Sequence, residues 1–383
     1  MNNFFLPNNL NTPVVPGPNS RVIVDSLNPL TATGAVSILD LRVAGEAGGS
    51  TVTFGGTLDV RENITIEQGG TLVLNRPTTI NQNLIVLEGG LLTHDINAAD
   101  DVNKLNLTVH GDVWVDYLGT IDVYAKGYRY RTGIGTGDGQ RHGSYGGHGA
   151  IANGESGPCY GSIIAPTNRG SGGHTDYGGG AIIINSYGSF HNEGTISANG
   201  GNSGYAGSGG TVFITAASIS GTGSITADGG YGTSAGAGGG RISLVVTEKD
   251  ADFSNWTGLI SAYAKGVGAG TVYLERGIDK PAQGRVVIDN NGFNAQRWTD
   301  LPPTLEYTPG EIDHAILYIH NDSLVRINES MTLWDLWLWD ENSVLDLNFN
   351  TLYVNSLPHT LEPGSVINLG EIKWLAGTLL QFW

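Results

Sequence analysis

An all-β fold, a right-handed parallel β-helix, is what this sequence predicts, and three observations predict it. Short β-branched runs recur along most of the chain, each closed by Gly or Asn. One of these runs repeats with a recognisable internal form. Glycine, 59 of 383 residues and about twice its usual share, supplies the positive-φ corners a coiled chain needs. A strand of four to six residues cannot bury its apolar side alone. Stacking successive coils buries it continuously, which is why such strands come in arrays. A β-sandwich or jelly roll suits the same strand spacing, but a single sandwich would not need this many strands.

Residues 1–30 read as an extended segment. Its start, MNNFFLPNNL, lacks a basic residue and a long apolar stretch, so no signal peptide is expected. The solenoid body is expected over 31–290. It opens with TVTF (51–54), ITIEQ (64–68), TLVL (71–74), NLIVLEGG (83–90), LNLTVHG (105–111) and VWVDYLG (113–119). It continues with AIIIN (181–185), TVFIT (211–215), RISLVV (241–246), TVYLE (271–275) and RVVID (285–289). Within it, 34 of the glycines fall between 133 and 240, interleaved with strands, so this zone is expected to fold with long Gly loops packed backbone to backbone. VTEKDADF (246–253) is the one short helix candidate. Segment 291–313 carries Pro302, Pro303 and Pro309 without alternation and reads as a crossover. A second β unit over 314–383 continues or caps the solenoid. In SVLDLNF, Ser343, Leu345, Leu347 and Phe349 share one face, while Val344, Asp346 and Asn348 share the other.

The closest internal repeat reads GTIDVYAKG (119–127), GTISANGG (194–201), GSITADGG (223–230) and GLISAYAKG (258–266). Its form is Gly-x-Ile, a small polar residue, Ala or Val, one variable residue, then a small pair. Together with YGSIIAPTNRGSGG (160–173), GGGAIIIN (178–185) and GGTVFITAASISGTGSITADGG (209–230), it resembles the Gly-rich β-solenoid regions of large secreted bacterial surface proteins, adhesin-like in character. The resemblance covers about 120–275. It implies a fold and an extracellular or cell-surface location, and carries no catalytic residue.

Composition excludes several classes. A net charge of −17 repels a phosphate backbone, so nucleic acid is not an expected partner. No apolar run is long enough for a transmembrane helix. The single Cys159 rules out a disulfide framework and a multi-thiolate zinc site; in its GPCYG turn it reads as a small packed residue.

Three constellations could carry chemistry. The first is KGYRYRTGIGTGDGQRHGSYGGHG (126–149), with Lys126, Arg129, Arg131, Arg141, His142 and His148 beside Tyr128, Tyr130 and Tyr145. Arg forks suit a carboxylate or sulfate on a polysaccharide, and Tyr faces suit sugar rings. A polysaccharide lyase needs the same parts, a cation for the uronate and a base for its C5 proton. The plainer reading pairs this loop with Asp112, Asp116, Asp122 and Asp138. The second is MTLWDLWLWDENS (331–343). If Trp334, Leu336 and Leu338 face the core, Asp335, Trp337 and Trp339 face out, placing a flat row of two indoles beside a carboxylate. The third is HDINAADDVN (94–103), where Asp95, Asp100 and Asp101 offer oxygen ligands to Ca²⁺, although the spacing fits no EF-hand. Glycoside hydrolysis needs two carboxyls, and sequence picks no pair.

The expected function is a secreted or cell-surface β-solenoid that binds polysaccharide or a surface glycan. The alternatives are a lyase or glycoside hydrolase acting on an acidic polysaccharide in a β-helix groove, and a structural spacer or fibre subunit that stacks or oligomerises.

Overall fold

The structure, a computed structural model, describes the backbone of 3–5 and residues 16–45, 48–97, 102–137, 139–151, 156–232, 235–359, 361 and 366–376, with backbone alone at 366–368. The chain winds through three parallel sheets in a fixed order. Leu58–Val60, Ile64–Ile66 and Gly70–Leu74 each join a different sheet, and Thr78–Ile80, Leu84–Val86 and Leu91–Thr93 take the next place in each. Partners Leu58 and Thr78, Ile64 and Leu84, and Thr71 and Leu91 are all 20 residues apart, which sets the length of a turn here. Alternate side chains point inward, so Leu58, Val60, Ile64, Ile66, Leu72 and their counterparts stack into one buried column. The fold is a parallel β-solenoid. No helix occurs among the described residues. The helix candidate 246–253 is corrected: Val246 completes the strand Arg241–Val246, and the chain then turns. So short a segment cannot offset the cost of helix nucleation.

Later turns are longer. The strands Ala181–Ser186, Thr211–Ala216, Arg241–Val246 and Thr271–Glu275 pair in register with first residues 30 apart. Thr271–Glu275 then meets Arg285–Asp289 in the single antiparallel strand pair among the described residues. Beyond this reversal the chain winds further parallel turns around a second core that includes Val286, Leu317, Leu336, Leu345 and Leu352. Segment 291–313 contributes a strand of its own, Thr299–Leu301, paired with Leu324–Ile327. Ser343, Leu345 and Leu347 are buried, but Phe349 is 81% exposed. The strand Val344–Asp346 has ended before it, and Asn348 and Phe349 turn away with φ of 46° and 64°. Trp334 is likewise exposed rather than in the core. It occupies the corner between Met331–Leu333 and Asp335–Leu338, while Leu336 and Leu338 point inward.

Residues 123–180 separate the strands Thr120–Asp122 and Ala181–Ser186, and the described residues among them fold back over the corners of later turns. Backbone bonds join the layers: Gly143 N–H donates to Ala206 O, Gly146 N–H to Gly239 O, Gly238 N–H to Gly143 O and Gly268 N–H to His148 O. Glycine is required here by close approach. A Cβ on Gly209 would overlap the Ala227 carbonyl, and equivalent overlaps await Gly179 and Gly239. Arg241, fully buried, fastens the layer to the sheet. Its Nε donates to Tyr160 O (3.0 Å), its Nη1 to Thr271 Oγ1 (2.9 Å), and its guanidinium lies over the Tyr145 ring at 5.4 Å.

Gly209→Ala is therefore expected to destabilise the protein by about 2 kcal/mol or more, as overpacking does. Gly34→Ala, where a Cβ meets nothing within 4 Å, is expected to be neutral. Thermal unfolding of the two variants side by side checks the pair.

Candidate functional site

The basic-aromatic segment does not form one patch. Lys126 turns inward, and its Nζ donates to Thr93 Oγ1 (2.6 Å) and His94 O (2.7 Å). Burial lowers its pKa, with Asp122 and Asp95 working against the shift. Arg129 lies over Tyr130, whose ring meets Tyr177 edge-on. The Tyr128 ring is covered by Arg169 at 4.2 Å. Tyr145 is fully buried. Its hydroxyl pairs with Thr211 Oγ1 (2.7 Å), and burial pushes its pKa up to about 12, so it presents no ring face to a sugar and no base. His148 is also buried, against Asp300. Placing Tyr145 and His148 in a surface site is thus corrected. A Gly-rich loop threads back into the layer instead of lying on it.

Arg131, Arg141 and His142 do converge. With His174, Thr136 and several glycines they line a cavity of about 270 Å³. Arg131, at φ 60°, donates through Nη2 to His174 Nε2 (2.7 Å). His142 accepts from the Ala206 N–H at Nδ1 (3.1 Å), and burial pulls its pKa down to about 4. The ring is neutral with its proton on Nε2. Two guanidinium groups and a neutral imidazole suit an anionic group more than proton abstraction.

A second concavity arises directly from the repeat. Asp122, Ser197, Thr226 and Ser261 are register partners in four successive turns. Two residues on, the variable position of each copy projects Tyr124, Asn199, Asp228 and Tyr263. The ladder continues there, with Ala125 N–H donating to Asn199 O, Gly200 to Asp228 O and Gly229 to Tyr263 O. At the usual strand spacing this column spans roughly 14 Å. Tyr124, Asn199, Asn202, Asp228, Tyr231, Tyr263 and Lys265 line a cavity of about 270 Å³. A neighbouring cavity of the same volume shares Tyr231 and Lys265 and adds Gln296 and Arg297. Lys265 Nζ sits 4.1 Å over the Tyr231 ring, and Tyr263 stacks on Phe293 at 5.4 Å. Asp228 Oδ1 accepts from Ser261 Oγ (2.6 Å) and Tyr263 N–H (3.1 Å). Burial raises its carboxyl to about 6 against these two bonds. Sequence reasoning missed this trough, although the variable position of the repeat marks it.

The tryptophan face differs from its expected form. Trp337 and Trp339 do point outward, but they stand perpendicular (89°) at 6.3 Å rather than in a flat row. Trp337 is stacked between Tyr318 (6.3 Å) and His359 (4.2 Å), and its Nε1 donates to Asp335 Oδ2. Only Trp339 of the two is freely exposed, at 54%. Asp95 is engaged with Asn75, which donates to its Oδ2 (2.6 Å) and accepts from its N–H (2.8 Å). Asp100 and Asp101, the other residues offered to Ca²⁺, lie outside the described residues, as do Asp138 and the C-terminal Trp383.

No protein-family model, curated protein or solved structure matches the chain.

The raised pKa of Asp228 has a definite sign. The native state holds this proton to a higher pH than the unfolded chain does. Stability from this group therefore falls as pH rises from the ordinary carboxylate range to about 6, and is level above it. Asp228→Asn, which keeps the acceptor, is expected to remove this slope. Unfolding midpoints of both proteins between pH 4 and pH 7 (on the order of the two pKa limits) measure it.

Proposed function

We propose that this protein is a secreted or cell-surface β-solenoid that binds polysaccharide through the trough between Tyr124 and Tyr263, an adhesin-like module of the kind its repeat resembles. The observation that carries the reading is the register column. Four successive turns present Tyr, Asn, Asp and Tyr at one position, with Tyr231 and Lys265 shared by two neighbouring cavities. Aromatic rings beside amide and carboxylate groups suit sugar rings, whose faces are apolar and whose rims carry hydroxyls. A column repeated from turn to turn suits a repeating polymer. The pocket of Arg131, Arg141 and His142 suits a carboxylate or sulfate on an acidic chain.

Hydrolysis is the second reading, favoured by Asp228 alone: a partly buried carboxyl titrating at about 6 has the protonation a general acid needs. Binding ranks above it because a glycosidase needs two carboxyls, and Asp228 is the one carboxyl among the described residues lining these two cavities.

The test is incubation with immobilised neutral and acidic polysaccharides, reading retained protein and released products together. Retention without products is expected. Tyr231→Ala and Tyr263→Ala should each weaken it about tenfold, the loss of one good ring contact. Arg131→Ala should weaken retention on acidic polymers alone, and Trp337→Ala should leave all retention unchanged. Products carrying the unsaturated-uronate chromophore would replace binding by lyase activity. Retention indifferent to both tyrosines would remove the trough from the account.

A further inference from the structure

The inserted layer and the second core meet at three side chains far apart in sequence. His148 and Cys159 come from the layer, and Asp300 comes from the strand Thr299–Leu301. One ligating atom from each, a ring nitrogen, the sulfur and a carboxylate oxygen, lie within 4.8 Å of one another. Cys159 and Asp300 are fully buried, and the His148 side chain is 11% exposed. We propose that His148, Cys159 and Asp300 form a binding site for one divalent transition ion of the Zn²⁺ type.

Donor chemistry chooses the ion. A thiolate, an imidazole and a carboxylate suit Zn²⁺ or Co²⁺; Ca²⁺ and Mg²⁺ take oxygen ligands. The surroundings already orient the donors. His148 Nδ1 lies 2.9 Å from Gly157 O, which requires an N–H there and leaves Nε2 as the ligand nitrogen. Nε2 now faces Asp300 Oδ2 at 2.7 Å. The other oxygen, Asp300 Oδ1, is held by Arg326 through Nε (3.0 Å) and Nη2 (2.8 Å), an outer contact that fixes the carboxylate plane.

Binding replaces protons by the ion. The proton between Nε2 and Oδ2 leaves, the Cys159 thiol gives up its proton, and three dative bonds form with no change of oxidation state. Thiolate and carboxylate neutralise the two positive charges. Tetrahedral coordination places such donor atoms roughly 3.3–3.6 Å apart. The present separations run from 2.7 Å to at most 4.8 Å, so a rearrangement of about 1 Å closes the site. Three protein ligands leave a fourth position for water. The ion would rivet the inserted layer to the strand Thr299–Leu301.

Cobalt is the probe. The full chain, stripped with chelator and freed of it, is titrated with Co²⁺. We expect saturation at one ion per chain, with a thiolate-to-cobalt charge-transfer band and the visible bands of four-coordinate Co²⁺, both abolished by added Zn²⁺. Cys159→Ser should lose the charge-transfer band and at least about 100-fold in affinity. Asp300→Asn should keep the band and bind more weakly. Wild-type protein that takes up no stoichiometric Co²⁺, or takes it up without the charge-transfer band, overturns the proposal without reference to any variant. A band that survives in Cys159→Ser does the same.

Discussion

Turn-to-turn register is the constraint on which the rest of the molecule depends. In a parallel solenoid each residue sits beside its counterpart one turn away, so a choice made at one position is repeated along a column. Inward columns of Ile, Leu and Val fuse into a continuous core that no single turn could bury. Outward columns become surfaces with a composition of their own. The column Tyr124, Asn199, Asp228 and Tyr263 is such a surface, and its regularity follows from the pairings of Asp122, Ser197, Thr226 and Ser261 just before it. A one-residue slip in any of these turns would send Ile196 or Ile225 outward and break core and trough together.

Glycine plays the complementary part. Elsewhere a Gly costs stability through the freedom it loses on folding. Here it permits a second backbone layer to lie directly on the corners of the coils, with Gly143, Gly146, Gly238 and Gly268 bonding main chain to main chain. Each bond satisfies a buried polar group that a side chain would have shielded from its partner. The layer is held by few but deep fastenings. Arg241 reaches from the sheet into it, Tyr145 and Tyr160 pack inside it, and His148 reaches Asp300 beyond it. This explains why a segment so rich in glycine contains so many fully buried large side chains.

Legibility in the sequence followed the range of the interactions. The solenoid could be read because its evidence is local: short alternating runs, closed by Gly, with one repeat near 30 residues. Individual corners could not. Phe349 and Trp334 continue an apolar alternation on paper, but each stands where the strand has already ended, and backbone geometry there overrides periodicity. The basic-aromatic segment was harder still. Arg131 and Arg141 line one cavity, whereas Tyr145 and His148, a few residues on, are buried by contacts with Thr211 and Asp300 that lie 66 and 152 residues away. Nothing near Tyr145 in sequence announces Thr211.

The trough shows what a repeat does and does not disclose. The four copies of the repeat exposed their shared residues, and attention naturally fell on those. The shared residues build the wall, since Ile121, Ile196 and Ile225 are fully buried and the small residues after the variable position let the chain turn. Chemistry belongs to the position at which the copies disagree. In a solenoid a variable site between small, repeated neighbours stays at a fixed height and with a fixed outlook, free to differ because it lies outside the continuous inward core. Tyr124, Asn199, Asp228 and Tyr263 occupy that site in consecutive turns. Their differences therefore describe a surface, ring then amide then carboxyl then ring, along a line whose spacing the backbone sets.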